Sequence, residues 1–195
     1  ADVFIVGEIG EEFSDQLGAA FINGDGVKKP TGILQHTITN EPDASRAFGT
    51  LQAVMTKTAA EVKFDDLKAL KRAVKAKYRN GAAWMMNDTT ALALSTIKDS
   101  NGQYVWHDSV AEGEPDTLLG YPVAVDENMP DIGAGAYPVL FGNLDRGYHI
   151  ARRLGTRILR DPYTSKPYVN FYATARFGGG VVNSEAIKLL EVKAA

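Results

Sequence analysis

The three histidines are the first residues to consider as metal ligands or acid–base groups. His36, His107 and His149 are the only histidines among the 195 residues, and the chain contains no cysteine. None of them belongs to an H-E-x-x-H motif or to the Cys/His spacing that binds zinc. Isolated histidines are usually surface residues or hydrogen-bonded core residues. The sequence therefore predicts no metal site.

Three carboxylates of one segment, Asp126, Glu127 and Asp131, lie close enough in sequence to be considered as an acid–base pair. No G-x-S-x-G or other nucleophile motif accompanies them, and carboxylates in loops are usually solvated. We therefore predict no catalytic residue and no cofactor. A small enzyme that uses these carboxylates stays open as an alternative, because many catalytic sites leave no local sequence motif.

Two glycine-containing segments are similar to ligand-binding loops. Gly24-Asp25-Gly26 follows a helix, whereas a phosphate-binding glycine loop follows a strand and opens a helix. We predict instead that Gly24 and Gly26 cap the helix, since glycine adopts the left-handed conformation without strain. Asp99-Ser100-Asn101-Gly102 begins like a calcium loop, but its acids are too closely spaced and no glutamate stands at the twelfth position. This segment is predicted to be a turn.

Arginines of the last third of the chain form the main concentration of positive charge. They are Arg146, Arg152, Arg153, Arg157 and Arg160. The net charge is −5 over residues 1–61, −3 over 62–141 and +5 over 142–195. Guanidinium groups bind carboxylates or phosphates, and no known nucleic-acid-binding motif accompanies these arginines. We predict that they are subunit-interface residues, with an ordinary charged surface and nucleic-acid contact as the open alternatives.

Residues 2–23 alternate apolar and acidic positions with a helical period. Ile5, Ile9, Phe13, Leu17 and Phe21 recur every fourth residue, while acids occupy the other faces. This pattern predicts a helix from Asp2 to Asn23.

The middle of the chain mixes helices and strands. A helix capped by Asp65 is predicted to bury Leu67, Leu70, Val74 and Tyr78. A second helix is predicted to begin after a cap at Asn87 or Asp88. Strands are predicted over residues 82–86, 103–106, 121–125 and 137–141.

The C-terminal third is predicted to be rich in strands. Segments 148–153 and 156–160 read as two strands separated by one glycine, and 168–177 alternates as a long strand. Gly178, Gly179 and Gly180 are predicted to end that strand, either as a hinge at which the chain turns back or as an ordinary surface loop. A short tail then closes the chain.

Composition favours an ordinary globular protein, and the mixture of predicted helices and strands places it in the α+β class. Hydrophobic residues make up 45% of the chain and charged residues 23%, and no apolar run reaches the ~20 residues of a membrane helix. Because the chain opens with Ala1 directly in a helical pattern, we expect upstream residues to have been removed.

The order of several short motifs resembles the tailed-phage major capsid protein family with the Hong Kong 97 fold. The motifs extend over almost the whole chain, and their ordered set is specific although each alone is weak. They are Ala20–Gly26, Lys29–Leu34, Trp84–Asn87, Asp99–Tyr104, Leu118–Val123 with Met129-Pro130, Phe141–Asn143 and Arg160–Tyr163.

This resemblance implies a structural protein that forms pentamers and hexamers of an icosahedral phage head around double-stranded DNA. It implies a peripheral domain of residues 1–34 and 146–180, with a spine helix and long antiparallel strands. It also implies an axial domain of residues 35–145 and 181–195, with a central α/β structure. The expected location is the virion, after assembly in the bacterial host cytoplasm.

The expected partners are copies of the same chain and, by weak non-specific contact, packaged DNA. Portal, scaffold or protease partners cannot be read from the sequence. The family's N-terminal arm and E-loop precede the spine helix and have no counterpart in this sequence, so no cross-linking role is assigned to Asn170. An encapsulin-type compartment shell, which shares the fold, is the main alternative to a phage head.

Overall fold

The computed structural model describes residues 2–98, 102–104, 106–107 and 115–194, without the side chains of Asp2, Val3 and His107. The elements in chain order are α1 (Asp2–Asn23), β1 (Ile38–Thr39), β2 (Leu51–Ala59), α2 (Phe64–Ala73), β3 (Ala83–Met86), α3 (Asp88–Ser95), β4 (Trp106–His107), β5 (Thr117–Leu118), β6 (Tyr121–Val125), β7 (Val139–Gly142), α4 (Leu144–Gly147), β8 (Tyr148–Asp161), β9 (Asn170–Val181) and β10 (Ile187–Lys193). Short 3-10 helices cover Ile33–Gln35 and Ala76–Tyr78. No helix in these ranges is long and apolar enough to span a membrane.

The chain divides into two compact units. The first consists of Ala1–Gln35 and Ile150–Gly180, and the second of His36–His149 and Val181–Ala195. Each unit is therefore built from two separate segments of the chain.

Helix α1 dominates the first unit and confirms the helix predicted from the apolar period. The stripe residues Ile9, Phe13 and Leu17 are half-buried, while Glu11 and Glu12 on the other face are exposed. A stripe at every fourth residue lies on one side of an α-helix, so only that side can pack against another element.

The turn after α1 depends on close backbone contact. A Cβ at Gly24 would lie 2.2 Å from the Pro30 carbonyl oxygen, and one at Gly32 would lie 2.4 Å from the Ile22 carbonyl oxygen. The Gly32 N–H donates to the Gly24 carbonyl at 2.7 Å. The predicted left-handed cap at Gly24 is wrong, since Gly26 has a positive φ, of 79°, and Gly24 does not. Glycine is needed at residue 24 because of space rather than because of its φ angle.

Strands β8 and β9 pair into a two-stranded ribbon in the first unit. β8 is one continuous strand of 14 residues, so the predicted break at Gly155 is wrong. β9 runs through Gly178, Gly179 and Gly180 to Val181, so the predicted end of the strand at these glycines is also wrong. Glycine lowers strand propensity but does not prevent extended backbone when the partner strand continues.

The second unit is built on an eight-stranded mixed sheet with the order β1-β2-β10-β7-β3-β6-β5-β4. Strand β10 lies parallel to β2 and antiparallel to β7, with Leu189 opposite Ala53 and Leu140. The sequence-based reading of residues 181–195 as a short tail missed this strand. Five of its seven residues are buried, so the last segment of the chain completes the centre of the sheet.

Aromatic side chains fill the core of the second unit. The ring centroids of Trp84 and Phe141 lie 4.3 Å apart. The ring of Tyr121 contacts Phe141 edge-on, with 5.1 Å between the ring centroids. The Trp84 indole N–H donates to the Leu118 carbonyl at 2.8 Å, which satisfies its polar atom inside the core.

Helix α2 packs against this core through Leu67 and Leu70, and Val74 and Tyr78 of the predicted apolar face are also buried. These last two residues lie beyond the end of the helix at Ala73, so the predicted continuation of the helix to Tyr78 is wrong. The predicted cap at Asp65 is wrong, because the helix begins at Phe64. The buried carboxylate of Asp66 instead accepts from the Lys63 N–H at 3.0 Å and from the Lys57 N–H at 3.2 Å.

Asn87 caps α3 as expected: its side-chain oxygen accepts from the Thr90 N–H at 2.8 Å. The predicted strands at 82–86 and 121–125 are confirmed as β3 and β6. The turn predicted at Asp99–Gly102 and the acidic loop that follows lie largely outside the described residues.

Candidate functional site

The histidines do not form a site in the described part of the chain. The Nε2 atom of His36 accepts from the Val181 N–H at 3.4 Å, and burial lowers the pKa of this imidazole. A neutral ring is therefore the form that fits its role as an acceptor. His149 is exposed on β8. No group of three potential metal ligands is present among the described residues.

The loop carboxylates hold local backbone structure. Asp126 accepts from the backbone and side-chain nitrogens of Asn128 at 2.9 and 2.8 Å. Asp131 accepts at 2.6 Å from Asn87, the residue that caps α3. Glu127 is exposed. Asp126 and Asp131 therefore stabilise a turn and a helix cap, and the structure adds no support for an acid–base pair.

The predicted interface arginines all have exposed side chains. Arg146 belongs to α4 and the other four belong to β8. The guanidinium group of Arg152 lies 5.7 Å from the ring centroid of Phe177 on β9, so an aromatic ring supports it. The structure thus distributes these arginines along one strand, with one at the short helix before it.

Opposite charges in the first unit lie on different elements. Residues 1–35 carry six acids and two lysines, whereas residues 150–180 carry six cations and one acid. The acidic side chains Glu8, Glu11, Glu12 and Asp15 of α1 are exposed. The first unit therefore carries an acidic helix and a basic strand, and each of them can attract a partner of opposite charge.

Apolar surface in the first unit remains partly open. Three recesses of about 510, 210 and 400 Å³ lie along α1, and Phe13 lines each of them together with Ala173 or Ala175 of β9. No side chain from residue 150 to residue 180 is fully buried. A helix on a two-stranded ribbon is too thin to enclose its own core, so these recesses are open to a partner.

A network of buried charges in the second unit was missed by the sequence analysis. Lys188 in β10 is fully buried and pairs with Asp43, whose side chain is 11% exposed. The Nη2 and Nε atoms of Arg46 lie 2.7 and 2.9 Å from the same Asp43 oxygen. At the edge of the network, Lys75 lies 3.7 Å from Asp43 and 2.6 Å from Glu185.

The pKa values of this network follow from burial and charge. Burial acts to raise the pKa of Asp43, but hydrogen bonds from Lys188 and Arg46 outweigh it and hold that pKa below its usual value. Burial lowers the pKa of Lys188, and Asp43 opposes this shift. The hydrogen bond from Lys75 lowers the pKa of Glu185. The arrangement is thus an ionised carboxylate held by three cations.

One sequence signal points to this network. Lys188 interrupts the apolar run Ile187–Leu190, and a cation inside such a strand needs a buried carboxylate partner. The partner lies 145 residues earlier, so spacing along the chain does not identify Asp43.

Most cations of the α2 region have local partners, which bears on nucleic-acid contact. Lys71 donates to the Leu119 carbonyl at 3.0 Å, and Lys68 lies 4.0 Å from the Phe64 ring centroid. Arg79 donates to the Val74 carbonyl at 2.9 Å. These contacts leave fewer cations available for phosphate groups than the charge of the segment suggests.

Comparison with known proteins shows matches along the entire chain. The model of the phage capsid family matches residues 1–192. The capsid chain of an empty GTA particle is 43% identical, with a TM-score of 0.89, and the match covers 100% of this chain and 67% of that one. The native GTA particle gives the same identity and TM-score, with 66% of its capsid chain covered. This chain therefore spans about two thirds of the length of those capsid chains.

More distant structures share the fold. The SrpI encapsulin of Synechococcus elongatus is 16% identical with a TM-score of 0.64, and the match covers 97% of this chain and 64% of that one. Gordonia phage Cozz gives 17% identity and a TM-score of 0.58, with coverage of 98% and 64%. No protein with a curated description matches significantly.

Proposed function

Because this chain belongs to the phage capsid family, we propose that its copies assemble into the pentamers and hexamers of an icosahedral head that encloses double-stranded DNA. The observation that carries this proposal is 43% identity to a particle's capsid chain over the full length of this one. The function is structural, so the described carboxylates need no catalytic role. The proposed location is the virion, after assembly in the cytoplasm of a bacterial host.

The two compact units correspond, in this proposal, to the two domains of a capsid subunit. The unit with α1, β8 and β9 is the peripheral domain, and the unit with the eight-stranded sheet is the axial domain. The extended glycines at 178–180 lie just before the chain re-enters the second unit. We assign them a hinge role, since glycine allows a change in backbone direction at little steric cost.

Charge complementarity supports an interface between copies. The exposed arginines of β8 face carboxylates of α1 in a neighbouring copy, and Arg146, in the short helix before that strand, contributes to the same contact. A closed shell repeats each contact many times, so a modest contact per copy is sufficient. Oppositely charged patches set the register of such a contact and speed the encounter.

DNA contact is proposed to be weak and non-specific. Such contact depends on unpaired cations and falls steeply with salt concentration. The local partners of Lys68, Lys71 and Arg79 support this limited role.

Negative-stain electron microscopy of particles pelleted from lysate tests the proposed function. The protein is expressed from its complete reading frame, and the pellet is treated with nuclease before its contents are extracted. Uniform closed shells with protected DNA are the expected result. Closed shells that contain a protein cargo instead of DNA would favour the encapsulin-type alternative, and soluble monomers at all salt concentrations would contradict both.

A further inference from the structure

An aromatic side chain projects into solvent from the loop between β1 and β2. Phe48 is 91% exposed, more than any other large apolar side chain in the described part of the chain. Single exposed apolar residues are common on protein surfaces, so exposure alone does not indicate a contact site. The way in which the loop is held provides the second observation.

The backbone is held on both sides of Phe48. Before it, Arg46 binds Asp43 through two nitrogens, and its third nitrogen donates to the carbonyl of Thr50. After it, the Thr50 N–H donates to the Ala47 carbonyl at 3.3 Å, and Gly49 adopts a φ of 84°. A loop fixed in this way loses little conformational entropy when its tip binds a partner.

The anchor of this loop is the buried ion pair of Asp43 and Lys188. Burying an ion pair costs desolvation energy, and well-packed apolar residues often serve stability as well or better. Ile187, Leu189 and Leu190 around Lys188 are buried, so an apolar side chain would match its strand neighbours. What the ion pair adds is a fixed connection between the loop and the central strand.

We propose that Phe48 is an anchor residue that contacts a second copy of this chain, and that the Asp43–Arg46–Lys188 network positions it for that contact. The inference rests on the proposed shell-forming function, which surrounds each copy with others. A second copy also offers apolar recesses to receive a ring, such as the one of about 210 Å³ lined by Phe13, Leu17 and Phe177. A few buried residues, often aromatic, supply most of the affinity of a typical interface. A preorganised loop lowers the entropy cost of burying such a residue.

Assembly of alanine variants tests the contact. Phe48→Ala is expected to raise the threshold concentration for shell formation by about tenfold or more, whereas Phe48→Leu retains part of the contact. Leu92→Ala is the matched control, because Leu92 is also an exposed apolar residue of the second unit, at 67% exposure. The Tm of the unassembled Phe48→Ala protein is expected to equal that of the unassembled wild type. An unchanged threshold would overturn the proposal.

Photo-cross-linking identifies the partner. Benzoylphenylalanine at residue 48 of the complete protein is expected to form a covalent dimer within assembled particles, in greater yield than the same group at residue 92. Mass spectrometry of the dimer then locates the receiving surface. Cross-links only to other proteins, or a dimer yield no higher than at residue 92, would refute the contact with a second copy.

A double-mutant cycle separates positioning from general stability. If Arg46 acts through Phe48, Arg46→Gln raises the assembly threshold in the wild type but not in the Phe48→Ala background. Equal effects in both backgrounds would mean that Arg46 only stabilises the fold. Wild-type protein that forms no particles contradicts the proposed function, whereas normal assembly of Phe48→Ala contradicts this inference alone.

Discussion

At the scale of single residues, the most informative side chain is Lys188. Its side chain is fully buried in β10, and its charged amine is stabilised there by Asp43, a residue from a distant part of the chain. Arg46 shares the same carboxylate, so removal of Asp43 leaves two buried cations without compensation. The energetic consequence is asymmetric: breaking a buried pair costs far more than the intact pair contributes.

Asp43→Asn is expected to lower the free energy of unfolding by about 3–5 kcal/mol, because it leaves Lys188 and Arg46 buried without a negative partner. Lys188→Met is expected to cost less, since Arg46 still pairs with Asp43. Urea denaturation followed by circular dichroism measures both. Glu41→Gln, a change of an exposed acid two residues away, is the control. Equal costs for all three variants would show that the network has no special energetic role.

We expect the free energy of unfolding to fall at acid pH because Asp43 becomes protonated. Its pKa is lower in the folded chain, where Lys188 and Arg46 overcome the effect of burial, than in the unfolded chain. The unfolded chain therefore binds the proton first, and this contribution is complete above about pH 4 and is lost as pH falls further. Urea denaturation from pH 6 to pH 3 should show a smaller loss for Asp43→Asn than for the wild type. Parallel curves would assign the acid sensitivity to other carboxylates.

At the scale of elements, close backbone approach decides the turn between α1 and the following segment. Gly24 and Gly32 lie where backbone carbonyl groups leave no space for a Cβ. The helix itself contains two other glycines, Gly7 and Gly10, whose Cβ positions are open. Glycine is therefore required for space at Gly24 and Gly32 but not at Gly7 and Gly10, and the amino-acid composition does not distinguish these two groups.

Gly24→Ala is expected to destabilise the protein by about 1–3 kcal/mol, because the added methyl group overlaps the Pro30 carbonyl. Gly10→Ala is expected to stabilise it by about 0.5–1 kcal/mol, because alanine favours the helix and meets no neighbour. Thermal unfolding of the two variants provides a matched comparison. A destabilised Gly10→Ala protein would mean that this helix face has an unrecognised contact.

At the scale of the whole molecule, the dipolar first unit is the feature that bears on assembly. Most of its acids belong to α1 and most of its cations to β8 and β9, so two copies can meet through opposite charges. Such contacts between exposed groups are weakened by salt. Each exposed ion pair contributes little free energy, but a closed shell repeats the same contact many times.

Arg152→Glu combined with Arg157→Glu is expected to reduce the yield of closed particles while leaving the fold intact. The exposed positions explain why the fold tolerates the change. Particle yield after sedimentation is the measurement, and circular dichroism is the check on folding. Arg152→Lys with Arg157→Lys, which keeps the charge, is the control.

A compensating pair makes this test sharper. Glu11→Lys with Glu12→Lys on α1 is expected to restore part of the yield in the double-glutamate variant, since the charges are exchanged rather than lost. An unchanged yield of closed particles for Arg152→Glu with Arg157→Glu would contradict the charge-pairing model.

Much of the fold was predictable from local patterns, because these patterns depend on neighbouring residues only. The period of four in α1, the apolar face of α2 and the Asn87 cap of α3 are all confirmed. Predictions failed where a distant partner overrides local preference. β9 continues through three glycines, and β8 continues through Gly155, because a paired strand supplies backbone hydrogen bonds that local propensity does not anticipate.

Local patterns in the sequence predicted the α+β class, the long amphipathic helix and the separation of acidic and basic segments, and the ordered motifs indicated the family. The folded chain was needed to show that residues 187–193 form a central strand and that Lys188 meets Asp43. It was also needed to show that Gly24 is required for space and that Phe48 is exposed on a fixed loop. The physical reason is range: periodicity and capping act within a few residues, whereas burial, pairing and steric fit depend on segments that only folding brings together.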